Sequence, residues 1–298
     1  MKKIAVLTGG DSSEREIALQ SSKFIIENLE KNFKVSLFDF PFEIEKFLKS
    51  YKDFDAAVPV FHGPGGEDGT VQGFLEILKV PYLFSKVEAH AIGMNKFMTK
   101  RLARKCGLKT PEYKLISHPE RHTVYAPAVL KLNHGGSSIG VKIVRQQEEI
   151  DQVLNEFFAL EKYVLVEKPI VGREFTVAVI QEYGKDKALP VIEIISKNEF
   201  FDFESKYDPN LADEICPAQI DDTLEKSLQL KALKIHEALG ARHLSRSDFM
   251  VDDEGQIWFL EINTIPGLTR NSLTPKTIRA SGRDPAVLLE GWVNQVSS

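Results

Sequence analysis

The chain has 298 residues, of which 43% are hydrophobic and 27% charged, and its 38 basic and 43 acidic residues give a formal net charge of −5. This composition is ordinary for a globular protein and excludes the disordered and fibrous classes, and the negative charge offers no basic field for nucleic acid. No run approaches the roughly 18 apolar residues that span a bilayer, so we expect no contact with a membrane. The length favours two domains or three small ones.

The N-terminus and the cysteines favour a cytoplasmic protein. In the opening segment MKKIAVLTGG a short apolar run leads straight into glycines, which predicts a first strand rather than a signal peptide. Cys106 and Cys216 lie far apart in sequence and predict neither a disulfide framework nor a zinc cluster. Free thiols fit a reducing cytoplasm.

Residues from Met1 to about Ser85 alternate between strand and helix patterns, which predicts a parallel sheet. Strand patterns end at Gly9-Gly10 and His62-Gly63, and ligands of such sheets collect at the carboxyl ends of strands. Glu14 lies in the first turn of the helix that follows, where the helix dipole alone would favour a carboxylate. The segment lacks the G-x-G-x-x-G fingerprint, so a dinucleotide fold is not indicated.

A single helix is predicted from about Ala89 to Lys105, as a bridge between domains that ends at Gly107. Of five basic residues on it, we expect four to face solvent and Lys96 to be a phosphate ligand. The five are Lys96, Lys100, Arg101, Arg104 and Lys105.

Antiparallel strand patterns begin at Pro111. A strand from Ala128 to Leu132 carries Lys131 among apolar neighbours, and a lysine there is costly unless an anion pairs with it. The next segment, HGGSSIGV, has the glycines and backbone N–H groups that fold over phosphates, although a plain glycine hairpin remains an alternative. The lysine and the loop together favour a phosphate site.

Two carboxylates and a long loop come next. Glu167 follows an apolar strand and Glu174 lies in the strand after it, so both are candidates for a nucleotide pocket, with a satisfied core carboxylate as the competing interpretation. Residues 199–217 are polar and aromatic with little periodicity, which is typical of a lid loop. We expect the lid to carry Lys206 and Tyr207 inward.

The densest chemistry lies between Arg246 and Leu273. Two apolar segments flank the turn-forming run Asp252–Gly255, which predicts a β-hairpin. Side chains alternate along a strand, so each strand presents one functional face. An even number of loop residues brings the two faces together, whereas an odd number does so only with a bulge. The expected faces are Arg246, Asp248 and Met250 on the first strand, and Ile257, Phe259, Glu261 and Asn263 on the second.

The hairpin acids predict a magnesium-nucleotide site. Asp248, Glu261 and Asn263 supply oxygen ligands, which Mg²⁺ takes together with substrate phosphates, while ordinary strand-ending acids are the alternative. Farther along, Gly267 lets a substrate approach the backbone closely. The nearby donors suited to a substrate carboxylate are Arg270, Asn271 and Ser272.

Along essentially the whole chain, these motifs resemble the D-alanine:D-alanine ligases of the ATP-grasp superfamily. The resemblance rests on GGDSSERE, HGPGGEDGTVQG, KLNHGGSSIG, VEKPIVGREFTV, FFDFESKY, RSDF and FLEINTIPGLTRNSL. It implies an ATP-grasp fold of α/β and α+β class. The implied parts are an N-terminal parallel-sheet substrate domain at 1–88, a small central subdomain at 89–170 and a C-terminal antiparallel-sheet catalytic domain at 171–298.

The resemblance also implies an ATP site between the central and C-terminal domains, with two Mg²⁺ or Mn²⁺ ions. The implied phosphate ligands are Lys96, Lys131 and Ser138; the adenine and ribose ligands are Glu167, Lys168, Ile170 and Glu174; the metal ligands are Asp248, Glu261 and Asn263.

The implied reaction joins two D-alanine molecules for peptidoglycan synthesis, in a homodimer. The carboxylate of the first attacks the γ-phosphate of ATP to give an acyl phosphate, and the amine of the second displaces phosphate. The implied catalytic residues are Glu14, Ser137, Tyr207, Arg246 and Gly267, and the implied substrate ligands are His62, Lys206, Ser272 and Leu273. Glu14 would anchor the first ammonium and bond with Ser137 and Tyr207 to hold the lid shut, while Arg246 and the Gly267 N–H would stabilise the oxyanion.

Three residues depart from the family pattern: Leu132, His134 and Ile265. None of them removes a catalytic group. The nearer alternatives are the same fold with an acceptor such as D-lactate, against which Tyr207 argues, and another ATP-grasp carboxylate-amine ligase. Two others are a nucleotide-binding regulatory module without turnover and a dehydrogenase, against which the missing G-x-G-x-x-G speaks. The regulatory module would be expected to lack Arg246 or a metal carboxylate.

Overall fold

A computed structural model describes residues 1–118, 123–135, 140–196 and 212–298. Its first part is the predicted alternation of strands and helices, and the strands form a parallel sheet in the order β2-β1-β3. The elements are β1 (Lys3–Gly9), α1 (Arg15–Leu29), β2 (Lys34–Phe40), α2 (Ile44–Ser50), β3 (Ala56–Val60) and α3 (Thr70–Ile77). The prediction for this part is confirmed.

The prediction of a single bridging helix from Ala89 to Lys105 is wrong. Two helices occupy this stretch, α4 (Val87–Met94) and α5 (Lys96–Lys105), because Asn95 between them has an extended backbone with φ −91° and ψ 100°. The Asn95 side chain accepts a hydrogen bond from Met98 N and so caps α5. The break turns the first residue of α5, Lys96, towards the site described below.

One of the four lysines and arginines expected to face solvent does not. Lys100 is fully buried, whereas Arg101, Arg104 and Lys105 are exposed as predicted. Its burial is possible because a carboxylate and a backbone carbonyl surround its ammonium group, as detailed below.

The middle of the chain folds as an antiparallel sheet with one helix packed on it. Its strand order is β4-β7-β5-β6, and Ile150, Val153 and Phe157 of the helix lie in the core against it. The elements are β4 (Tyr113–Ser117), β5 (Ala128–Leu132), β6 (Val141–Val144), α6 (Ile150–Leu160) and β7 (Tyr163–Glu167).

The last part of the chain builds a second antiparallel sheet, in the order β11-β10-β8-β12-β13, with β9 paired to β8. Most of the predicted lid loop, including Lys206 and Tyr207, lies outside the described residues, and its last part forms the edge strand β11. The elements are β8 (Gly172–Glu182), β9 (Lys185–Ala188), β10 (Ile192–Ser196), β11 (Ala212–Ile215), α7 (Asp222–Leu239), β12 (Leu244–Asp252), β13 (Ile257–Asn263), α8 (Leu273–Ala280) and α9 (Pro285–Val296).

The predicted β12–β13 hairpin is present, but a bulge divides its second strand. Asp248 is paired with Glu261 and Phe249 with Phe259, so Leu260 is an extra residue without a partner in the register. Ile257 and Phe259 were expected on the functional face, and this is wrong. They pack in the core beneath α7, and the bulge turns only the residues beyond it, Glu261 and Asn263, to the face of Asp248.

The first and last sheets share a hydrophobic core. Ile4 and Val6 of β1 belong to the same cluster as Ala178 and Ile180 of β8 and Trp292 of α9. Across the described ranges, no helix is both long and apolar enough to cross a membrane. The domain limits at residues 88 and 170 stay predictions.

Candidate active site

A cavity of about 690 Å³ opens where the loops that follow β1 and β3 meet strands of the other two sheets. Residues after β1, along β5 and on the β12–β13 hairpin contribute to its wall. Of the predicted site residues that the structure describes, eight line it: Glu14, Lys96, Lys131, Glu174, Arg246, Asp248, Glu261 and Leu273. Residues that are distant in sequence therefore form one site.

A buried triad of two lysines and one glutamate lies behind the cavity wall. Lys131 Nζ is 3.0 Å from Glu167 Oε2, and Lys100 Nζ is 2.8 Å from Glu167 Oε1. Glu167 is thus the anion that the buried Lys131 was expected to require. Of the three, only Lys131 lines the cavity.

Burial and mutual attraction set the pKa values of this triad. Burial lowers the pKa of Lys100 to about 8, against the opposing pull of Glu167. Burial alone would lower the pKa of Lys131 and raise that of Glu167, but the ion pairs outweigh it. The pKa of Lys131 is therefore raised and that of Glu167 lowered.

Asp248 is hydrogen-bonded at both carboxylate oxygens. Arg246 donates from Nε to Oδ1 at 2.9 Å and from Nη2 to Oδ2 at 2.8 Å, and Thr176 Oγ1 donates to Oδ1 at 2.5 Å. Asn263 Nδ2 lies 3.4 Å from Oδ2. Because a carboxylate offers about four lone-pair positions, a cation reaches Asp248 only when one donor moves. Asn263 makes the longest of these bonds, and rotation of its amide presents an oxygen, itself a cation ligand.

The three predicted metal ligands fit a cation that is bound together with a nucleotide. The register places Asp248 opposite Glu261 and Arg246 opposite Asn263, so both acids and the amide share one face. Within residues 1–118, 123–135, 140–196 and 212–298, no group of three His, Cys, Asp or Glu side chains is placed to hold a metal. Two carboxylates and one amide suit Mg²⁺ or Mn²⁺, which completes its shell with phosphate oxygens and water.

Lys96 connects this face with the glycine-rich loop. Its Nζ donates a hydrogen bond to the carbonyl oxygen of Gly135 and lies 3.8 Å from Glu261 Oε2. Asn263 and Glu261 line a small pocket next to Lys96. Ser137 and Ser138 of the same loop lie outside the described residues.

The first part of the chain supplies an acid to the cavity wall and a connection to the loop after β13. Glu14, at the N-cap of α1, is buried and lines the cavity. His62 does not line it; its Nε2 lies 3.1 Å from Ser21 Oγ, which accepts a hydrogen bond from Leu268 N at 3.3 Å. Through Ser21, His62 therefore holds the loop after β13 rather than forming the cavity wall.

Glu67 makes a second connection to the same loop. Its buried carboxylate accepts hydrogen bonds from Gly63 N and from Ile265 N, both at 3.2 Å. This ties the carboxyl end of β3 to the chain that leaves β13. The acid was not singled out from the sequence, because Ile265, the partner that gives it this connecting role, is distant along the chain.

The loop between β13 and α8 is tightly folded around Ser272. Ser272 Oγ accepts a hydrogen bond from Thr269 N at 3.1 Å and bonds Thr269 Oγ1 at 2.7 Å, and a Cβ at Gly267 would lie 3.0 Å from it. Leu273, the first residue of α8, lines the cavity. Gly267 and Ser272 are therefore adjacent but do not themselves line the cavity.

Three predicted nucleotide ligands lie away from the cavity wall. Glu167 is engaged with the two lysines, and neither Lys168 nor Ile170, which follow β7, lines the cavity. Their implied contacts with adenine stay predictions. Lys100 and Thr176 were missed by the sequence analysis; the spacing of Lys100, one helical turn after Lys96, was the one available signal.

The departures from the family pattern have local partners. Leu132 lines the cavity, and its backbone N donates to the carbonyl oxygen of Gly140. His134 lies between Asn95, 3.0 Å from Nε2, and Glu161, whose carboxylate is 2.5 Å from Nδ1. Ile265 is fully buried in the core shared by the first and last sheets.

Comparison with known families agrees with this geometry. The family model described as the D-ala D-ala ligase C-terminus matches residues 90–294, and the model described as the D-ala D-ala ligase N-terminus matches residues 38–85. The chain is 39% identical to a D-alanine–D-alanine ligase of Alcanivorax borkumensis over 96% of this chain and 91% of that protein. It is also 39% identical to one from Chelativorans over 99% and 98% of the two chains.

Solved structures share the fold over the full length. The D-alanine–D-alanine ligase of Bacillus anthracis is 34% identical, with a TM-score of 0.87 and coverage of 100% of this chain and 97% of that one. A structure of the Bacillus anthracis enzyme complexed with ATP has a TM-score of 0.84 at 32% identity, with the same coverage. The VanG D-Ala:D-Ser ligase of Enterococcus faecalis has a TM-score of 0.83 at 29% identity, covering 100% of this chain and 99% of that one. The chain therefore belongs to the D-alanine–D-alanine ligase family of ATP-grasp fold.

Proposed function

We propose that this protein joins two D-alanine molecules into D-alanyl-D-alanine at the expense of ATP, giving ADP and phosphate, for peptidoglycan precursor synthesis. One observation carries the proposal. A single cavity gathers Lys96 and Lys131 from the central part, Asp248 and Glu261 from the last sheet, and Glu14 from the N-terminal domain. These are the charges needed to hold a polyphosphate, a divalent cation and an ammonium group side by side.

The cationic wall suits the phosphates of ATP. Phosphoryl transfer depends on positioning and on neutralising charge, which lysines provide without covalent chemistry. Glu167 already holds the Lys131 ammonium group, and the Gly135 carbonyl holds that of Lys96. Binding of the nucleotide therefore costs little conformational entropy at these two side chains. Glu174, which lines the cavity opposite Met250 in the register, is placed for the ribose hydroxyls.

The acidic side of the hairpin suits Mg²⁺ or Mn²⁺. Asp248, Glu261 and Asn263 would hold it, and we propose two ions, which the resemblance implies. The cation would neutralise charge on the transferred phosphate. Thr176 and Arg246 fix the orientation of the Asp248 carboxylate before any ligand binds.

The amino-acid side supplies an ammonium anchor and donors for negative oxygen. Glu14 would hold the ammonium of the first D-alanine, whose carboxylate oxygen bonds to the γ-phosphorus as ADP leaves. The amine of the second D-alanine then forms the amide bond and loses a proton, and phosphate departs with the attacking oxygen. Arg246 and the N–H of Gly267 would stabilise the tetrahedral oxyanion.

The second D-alanine would meet the N-terminus of α8. Backbone N–H groups there favour a carboxylate, so Leu273 N and the Ser272 hydroxyl are its proposed ligands. The roles of Ser137, Tyr207 and Lys206 in closing the lid are part of the same proposal. We also propose a cytoplasmic homodimer, on the family resemblance.

The test is product formation with matched amino acids. The chain is incubated with ATP and Mg²⁺ and with D-alanine, L-alanine, or D-alanine plus D-lactate, and phosphate and product mass are recorded. We expect phosphate and a D-alanyl-D-alanine mass with D-alanine and neither with L-alanine. If D-alanyl-D-lactate is the main product with D-alanine plus D-lactate, the protein forms the ester and the proposed acceptor is wrong. ATP binding without release of phosphate under any condition would refute it.

A further inference from the structure

Lys100 is a fully buried charge for which the proposed reaction has no role. It lies one turn after Lys96 on the same face of α5, yet Lys96 lines the cavity and Lys100 does not. A buried ammonium group requires partners, and this one has two. Glu167 Oε1 lies at 2.8 Å and the carbonyl oxygen of Leu260 at 3.1 Å.

The carbonyl that Lys100 binds belongs to the bulge in β13. Leu260 is the extra residue at this point, so it lacks a partner in the pairing with β12. The Leu260 carbonyl lies at this break in the ladder, and the Lys100 ammonium supplies a donor for it. The lysine is therefore fixed between the bulge and Glu167, beside the strand segment that turns Glu261 into the cavity.

Lys100 also decides the charge of the wall. Lys100 and Lys131 share the Glu167 carboxylate, so within this triad two positive charges meet one negative charge and one positive charge is left over. Glu261 and Glu174, which line the cavity, also act on Lys131 and are the same with or without Lys100. Without Lys100, Glu167 and Lys131 would form a neutral pair. Because screening is weak at buried sites, this surplus acts on whatever anion enters the cavity that Lys131 lines.

We propose that Lys100 is a positioning residue of the nucleotide site: it engages one oxygen of Glu167 and leaves Lys131 with surplus positive charge for the phosphates of ATP. The inference rests on the proposed use of ATP. It gives Glu167 a role in charge balance in addition to its implied contact with the adenine. It also assigns a function to a lysine that never touches the nucleotide.

The first test compares ATP with adenosine. In Lys100→Met the charge is lost while most of the unbranched side chain is kept, so we expect the Kd for ATP to rise at least about tenfold. Adenosine has no phosphates, and its Kd should stay within about twofold of wild type. Lys105→Met, an exposed lysine of the same helix, is the control and should bind both ligands like wild type. Lys100→Gln keeps a donor for the Leu260 carbonyl and serves if the methionine variant does not fold.

The second test restores the charge without restoring the lysine. In Lys100→Met combined with Glu167→Gln, Lys131 is again left with one uncompensated charge, so ATP affinity should return most of the way to wild type. Three results would each overturn the inference alone. The double variant could bind ATP more weakly than Lys100→Met, Lys100→Met could bind ATP like wild type, or it could lose affinity for ATP and adenosine equally. A wild-type chain that binds no ATP would overturn the proposed function as well.

Discussion

Replacing Arg246 with methionine should separate its structural contribution from its catalytic one. Arg246 and Asp248 are 5% and 8% exposed and share two hydrogen bonds. Removing one partner of a buried ion pair leaves an uncompensated charge, so we expect the free energy of unfolding to fall by about 3 to 5 kcal/mol. If the guanidinium also stabilises the oxyanion, kcat should fall by about 10² to 10³ in the variant that remains folded.

Arg173→Met is the matched control for this prediction. Arg173 makes the same two-point contact with Glu193, at 2.7 and 2.9 Å, but its side chain is 51% exposed and neither residue lines the cavity. Water can solvate Glu193 once Arg173 is gone, so we expect the free energy of unfolding to fall by at most about 1 kcal/mol and kcat to stay unchanged. Urea denaturation and steady-state kinetics measure both quantities. Equal stability losses, or wild-type kcat in folded Arg246→Met, would refute the reasoning.

Three further changes address the surroundings of the site. Thr176→Val removes the hydroxyl that donates to Asp248 and should lower the free energy of unfolding by about 1.5 to 3 kcal/mol in urea, since the acceptor is charged. Gly267→Ala places a methyl group 3.0 Å from Ser272 Oγ and should raise the KM for D-alanine about tenfold with little change in Tm. Burial lowers the pKa of His90 from 6.5 to about 4, so as pH falls below 6.5 the unfolded state binds the proton first. About 3 kcal/mol of stability should be lost between those pH values, and His90→Gln should lose much less; parallel pH profiles of the two proteins would contradict this.

Local patterns were enough to predict most elements. The alternation of strand and helix patterns predicted the parallel sheet, and the turn-forming run Asp252–Gly255 predicted the hairpin; both are present. Oxygen-bearing side chains at alternate positions predicted that Asp248 and Glu261 share one site, and the strand register confirms that they face each other. Such predictions succeed because they depend only on residues close together in the chain.

The predictions that were wrong concern features that depend on residues distant in sequence or on the backbone conformation of one residue. Leu260 resembles any apolar strand residue, and its bulge became necessary because five residues separate the paired Val251 and Ile257. Asn95 broke the predicted helix by adopting an extended conformation, although its capping ability was a signal that was not used. Lys100 is buried because Glu167 and the bulge carbonyl meet it there, which helical spacing alone does not reveal.

The central claim, that this cavity activates a carboxylate by phosphorylating it, is tested most directly by following oxygen. D-alanine labelled with ¹⁸O at both carboxylate oxygens is converted with ATP and Mg²⁺, and phosphate and dipeptide are analysed by mass spectrometry. We expect one ¹⁸O in each released phosphate, because the attacking carboxylate oxygen leaves with it when the amide forms. Unlabelled phosphate, released together with dipeptide, would contradict the acyl phosphate and with it the account of the site.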